Sequence, residues 1–164
     1  MAAPAPPTCP QTQDFSILTG FITPESDLPP PHGLDAAITM AVLDPEENDE
    51  VIRIVETSAR FSVLIQWCIC GPVAPAICGT WEVRLFIDDI DGVGPTSGQL
   101  GRTALVPVDP QNLCNQQRFD FTAGTVGAGV YDLVAIVTLK TAAGKRLGDT
   151  LGYAQIPVLA FFDD

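Results

Sequence analysis

The residue types that could do chemistry in this 164-residue chain are five cysteines, one histidine and a short run of aspartates. Cys9, Cys68, Cys70, Cys78 and Cys114 are odd in number, so oxidation would pair four and leave one for another chain. A reducing compartment would instead leave five thiols. Cys68 and Cys70 stand at i and i+2, which places them on one side of a strand. Cys70 can bridge locally to Cys78 across the Gly- and Pro-containing loop 71–79, and Cys68 can meet Cys114. Cys9, in a proline-rich stretch, is either a free thiol or a disulfide to another subunit. The Cys-x-Cys spacing also suggests metal, but no second pair or nearby histidine completes a tetrahedral set, so no metal is expected there.

The only histidine, His32, lies between prolines and glycine, in a loop that would have to supply any Ser-His or Cys-His pair. A spacer is its expected role, and no catalytic residue and no cofactor is expected in the chain. Asp88, Asp89 and Asp91 provide three carboxylates that could coordinate calcium. They lack the spaced ligands and closing glutamate of an EF-hand loop, so an acidic turn is the plainer reading. Gly94, Gly98 and Gly101 lack the strand-to-helix setting of a phosphate-binding loop.

Charge narrows the partners. The net charge of -12 repels phosphate backbones and anionic lipid, so neither nucleic acid nor a membrane surface is an expected partner. No run reaches the roughly 18 apolar residues of a membrane helix. Residues 1–10 lack a basic region and are broken by prolines, so a Sec signal peptide is not expected. Oxidised cysteines would nonetheless favour an extracellular or cell-surface location. Charged residues make up only 17% of the chain against 46% hydrophobic ones, a balance that a large core explains and that burial by association also explains.

The elements that must position these residues read as strands. Residues 130–140, VYDLVAIVTLK, alternate strictly, with Tyr131, Leu133, Ala135, Val137 and Leu139 on one face. The opposite face carries Val134 and Ile136 where a half-solvated strand would be polar. Ile38, Met40 and Val42 form an earlier inner face, and Ile52 and Ile54 follow an acidic turn at 44–50. Phe61 to Ile69 and Trp81 to Ile87 repeat the alternation. A long loop is expected over 88–102, short strands over 103–108 and 118–122, and a last strand over 153–162. Pro157 in that strand is tolerable only on an edge or at a bulge. Residues 1–35 form an extended proline-rich arm, and 36–164 the globular domain. Within the arm, 14–22 alternates Phe15, Ile17 and Phe21, either as a strand of the domain's own sheet or as a segment that docks on another subunit.

About seven or eight short strands with no amphipathic helix predict an all-β sandwich. Gly129-Val130-Tyr131-Asp132-Leu133 ahead of an alternating strand resembles the entry to strand F of immunoglobulin-like domains, where a tyrosine caps the E to F corner. Trp81 resembles their strand C tryptophan. Leu133 and Ile65 stand where antibody-type domains carry cysteines, so the chain is similar to cysteine-free bacterial immunoglobulin-like or fibronectin-like modules. The resemblance covers about residues 36–162 and implies a fold of that kind without an inter-sheet disulfide.

If strands C, F and G share a sheet, the resemblance implies an outward patch of Phe86, Val134, Ile136, Leu159 and Phe161. Phe15, Ile17 and Phe21 of the arm, or a neighbour's sheet, would cover it. These residues predict a self-assembling structural subunit, forming a filament, fibre or shell, whose partner is another copy of itself. The alternative is a carbohydrate- or protein-binding module using the 88–102 and 108–117 loops.

Overall fold

The computed structural model describes residues 20–22, 35–71, 74, 77–92, 94–109, 111–140 and 146–163. The described residues form an all-β structure of ten strands in two sheets. The strands are β1 (Gly20–Ile22), β2 (Asp35–Asp44), β3 (Glu50–Val51), β4 (Ile54–Glu56) and β5 (Phe61–Cys70). They continue with β6 (Thr80–Asp89), β7 (Gly98–Pro107), β8 (Cys114–Phe121), β9 (Gly129–Lys140) and β10 (Arg146–Phe162). The first sheet runs β1-β2-β5-β8, with β3 also on β2; the second runs β4-β10-β9-β6-β7.

Alternation explains the pairing of the two sheets. Phe61, Val63, Ile65, Trp67 and Ile69 of β5 are all buried, as are Trp81, Val83, Leu85 and Ile87 of β6 and the five expected positions of β9. Ile38, Met40 and Val42 join them from β2. The core therefore lies between sheets, where each strand contributes every second side chain. Aromatic edge-to-face contacts cross it: Trp67 meets Trp81 with centroids 6.2 Å apart, and Phe61 meets Phe161 at 5.3 Å.

Four expectations change. β7 starts at Gly98 rather than Thr103, because Leu100 turns inward opposite Leu85 and a bulge absorbs the following residues. β8 starts at Cys114 rather than Arg118; its polar first half shows no alternation and is held as a strand by pairing to β5. Val55, not Ile54, enters the core, and Ile54 is 66% exposed. β10 begins well before Tyr153 and bulges between Ile156 and Leu159, where Pro157 and Val158 together face Asp132. Pro157 therefore sits at a bulge, the second of the two positions open to it.

That bulge reverses the side on which later residues point. Leu159 and Phe161, expected on the outer face, are 0% and 4% exposed and pack in the core. The strand β1 lies within the proline-rich stretch. Its Gly20, Phe21 and Ile22 pair antiparallel with Ile38, Ala37 and Ala36 at the edge of the domain's own first sheet. Phe15, Ile17, Cys9 and His32 lie outside the described residues, as do the side chains of β1.

Candidate interaction surfaces

The outer face of the second sheet is built by strands β6, β9 and β10 in register. One row across it reads Phe86, Val134, Gln155, and the next reads Arg84, Ile136, Tyr153. Phe86, Val134 and Ile136 are half-buried and Tyr153 is 52% exposed. The expected patch is present in these three residues; Tyr153 takes the place given to Leu159 and Phe161. Ala160, Val130 and Ile54 extend it along a third row. At one end Glu82 is buried on this face and is held by Lys140 and by Arg84, whose Nε lies 3.5 Å from Oε1. A buried carboxylate needs such partners, since desolvation would otherwise cost several kcal/mol. The Arg84 guanidinium also lies over the Phe86 ring, 5.6 Å from its centroid.

At the other end of the same strands a corner is locked. Tyr131 Oη donates to Gly127 O at 2.9 Å, across the turn that leads into β9. The 90–97 connection packs on that turn: Ile90 N donates to Val130 O at 2.9 Å and Gly127 N to Thr96 Oγ1 at 3.3 Å. Gly94 is required there, because a Cβ on it would lie 2.3 Å from the tyrosine hydroxyl.

The outer face of the first sheet is polar and cross-linked. Cys68 and Cys114 are registered partners on β5 and β8 and form a disulfide, with Cα atoms 4.0 Å apart. In the next row Gln66 Nε2 donates to Gln116 Oε1 at 3.3 Å. Arg118 then makes a two-pronged contact to Asp49 through both terminal nitrogens, each bond 2.8 Å, and donates from Nε to Asp120 at 2.8 Å and from Nη2, one of the two that hold Asp49, to Ser62 Oγ at 2.9 Å. Its donors are engaged by the protein, so it holds the 44–50 turn onto the sheet. The hydrogen bonds from Arg118 hold Asp49 below the usual carboxylate range, and those from Ser62 and then Arg118 do the same for Asp120. Nothing in the sequence pattern announces this network, whose members are 58 and 69 residues apart. A shallow depression of about 410 Å³ beside it is lined by Leu43, Leu64, Gln116 and Arg118.

The aspartates are used locally. Asp89 Oδ1 accepts from the backbone N–H groups of Asp91 and Gly92, both at 3.2 Å, and Asp88 Oδ1 accepts from Ser97 Oγ at 2.8 Å. Desolvation and a hydrogen bond with Asp91 push the Asp89 carboxyl upward. Among the described residues no group of three or more His, Cys, Asp or Glu is gathered as a metal would require. Cys78 carries a free, exposed thiol, so the Cys70 to Cys78 bridge is not made. Cys70 ends a strand of the first sheet and Cys78 leads into a strand of the second, and stacked sheets stand ~10 Å apart, beyond the Cα reach of a disulfide. Among the described residues no helix is long and apolar enough to cross a membrane.

No family model and no curated protein matches the chain. Among solved structures it is similar to the soluble domain of PmoD from Methylocystis sp. ATCC 49242 (Rockwell), at 13% identity and a TM-score of 0.41, over 87% of this chain and 97% of that one. A β-glucosidase from Listeria innocua in complex with glucose matches at 7% identity and TM-score 0.38, over 76% of this chain and 16% of that one. A β-glucosidase from Erythrobacter marinus matches at 13% identity and TM-score 0.39, over 80% of this chain and 16% of that one.

Proposed function

We propose that the chain is a non-catalytic, self-assembling structural subunit built on an immunoglobulin-like β-sandwich. Three features support the fold reading: the Tyr131 to Gly127 bond at the β8 to β9 corner, Trp81 buried on β6, and the division of β2, β5 and β8 from β6, β9 and β10. In this reading β6, β9 and β10 are strands C, F and G.

The assembly reading rests on one observation. The strand β1 adds only three residue pairs to the edge of β2, and it reaches that edge from residues 23–34, which include Pro24, Pro29, Pro30 and Pro31. That connection, fully extended, spans up to about 40 Å. The same pairing made on a neighbouring copy costs little and joins subunits by strand addition. Heterologous contacts of this kind close into rings or continue as filaments. The Cys68 to Cys114 disulfide supports an oxidising location such as the cell exterior. The alternative of a binding module loses recognition surface, because residues 98–107 and 114–117 are ladder-paired strands rather than free loops.

Electron microscopy and sedimentation of the full chain test the reading. Regular polymers that are lost when Phe21 and Ile22 are both replaced by proline are expected. Adjacent residues aim their N–H groups to opposite sides, so one of the two substitutions must remove a donor facing β2. Monomers at every concentration would overturn it.

A further inference from the structure

Strand β2 has a gap along one edge. On one side it pairs with β5 from Asp35 to Leu43. On the other, β1 covers Ala36, Ala37 and Ile38, and β3 covers Leu43 and Asp44, with Ile52 N donating to Val42 O at 2.9 Å. Between them Thr39, Met40 and Ala41 have no ladder partner on that side among the described residues. Adjacent residues aim their N–H and C=O groups to opposite sides, so at least one of the three presents both to the gap. Yet the three are only 6%, 1% and 2% exposed, and Ile38, Val42 and Leu43 around them are buried too. A strand with a free edge would leave such groups to water, whereas buried backbone groups need partners.

The register of β1 says what fills the gap. Gly20 lies opposite Ile38, so continuing the antiparallel pairing sets Thr19 opposite Thr39, Leu18 opposite Met40 and Ile17 opposite Ala41. We infer that residues 17–19 complete the edge of β2 over 39–41, so that the arm contributes a six-residue strand, 17–22, and that in the assembly this strand comes from a neighbouring copy. The inference rests on the self-assembly reading and deepens it, fixing the register and length of the strand-addition contact. The residue types suit the role. No proline lies between Pro10 and Pro24, so every residue of 17–22 keeps its N–H for a ladder. Ile and Thr favour strands, and Thr19 against Thr39 is a favourable cross-strand pair. The pairing stops at Ile17, because Val42 O is taken by Ile52 and Leu43 is paired with Val51.

Hydrogen exchange of the assembled full chain, read by mass spectrometry, tests the length of the strand. The amides of 17–19 exchange as slowly as those of 20–22, and free exchange at 17–19 overturns the inference. Because the unsubstituted chain is measured, this arm does not depend on a variant folding. Cross-linking in a Cys78→Ser background tests the register. Chains carrying Ile17→Cys and chains carrying Ala41→Cys, mixed under mild oxidation, form a covalent heterodimer that neither forms alone. Phe15→Cys mixed with Leu43→Cys forms none, since β3 holds that position. Cross-linking of Phe21→Cys to Ala37→Cys without any bridge from Ile17→Cys to Ala41→Cys overturns the inference and leaves the self-assembly reading standing. Bridges at both pairs that close only inside a single doubly substituted chain support the six-residue strand and overturn the self-assembly reading.

Discussion

Gly94 and Tyr131 occupy one another's space at the end of the sandwich: a methyl group on Gly94 would lie 2.3 Å from the tyrosine oxygen and 2.6 Å from Cζ. The loop between β6 and β7 is therefore shaped to the corner that starts β9. Gly94→Ala should destabilise the fold by about 1–3 kcal/mol through overpacking. Tyr131→Phe should cost about 1 kcal/mol through the lost bond to Gly127 O. In the double variant the two costs should sum to less than the singles, because the first atom met is gone. Urea denaturation of all four proteins measures this, and simple additivity would show that the loop does not press on the ring.

Acid sensitivity should trace to Arg118. Asp49 and Asp120 both have folded pKa values below the ordinary one, so they contribute stability above about pH 4 that is lost as pH falls through the folded values. Asp89, shifted upward, acts in the opposite sense above its ordinary range. Arg118→Met should lower the thermal midpoint at pH 7 and converge on the parent as pH drops toward 3. A gap that stays constant with pH would assign the loss to packing instead.

The side reversal in β10 gives a sharp contrast between neighbours. Leu159→Ala should cost about 2–5 kcal/mol, as core truncations do, while Tyr153→Ala should stay within about 0.5 kcal/mol. Equal effects at the two positions would contradict the bulge at Pro157.

Much of this architecture is legible from side-chain alternation, and the exceptions have physical causes. The inner faces of β5, β6 and β9 follow directly from their period of two, because both neighbours of each strand demand the same face. The pairing of β6, β9 and β10 in one sheet joins segments far apart in the chain, and alternation alone does not fix it. Leu159 and Phe161 were misplaced for one reason: Pro157 signals a bulge, and a bulge changes the face of everything after it. The same signal would have kept Tyr153 on the outer face. The first halves of β7 and β8 are polar or glycine-containing and become strands only through pairing, which local patterning does not carry. The Arg118 network joins three separate segments and has no local signature at all.

The disulfide makes a quantitative claim. Cys68 and Cys114 are separated by 46 residues in sequence, and closing a loop of that length stabilises the fold by about 4 kcal/mol in the chain-entropy picture. Replacing both cysteines by alanine should lower stability by about 2–4 kcal/mol, read by denaturation without reductant. The parent should show the same loss when reductant is added. No difference between parent and variant would mean that the edge strand β8 is held by its ladder alone.

Strand addition between subunits can be decided by one mixing experiment. Phe21 and Ala37 are registered partners on β1 and β2. Two full-length chains are prepared in a Cys78→Ser background, one carrying Phe21→Cys and the other Ala37→Cys. They are mixed under mild oxidation, resolved on a non-reducing gel, and compared with each chain alone. A covalent heterodimer that appears only in the mixture is the predicted result, because β1 of one copy must lie on β2 of another. A mixture without heterodimer, alongside closure within a single chain carrying both substitutions, would contradict it and leave β1 as a strand of its own domain.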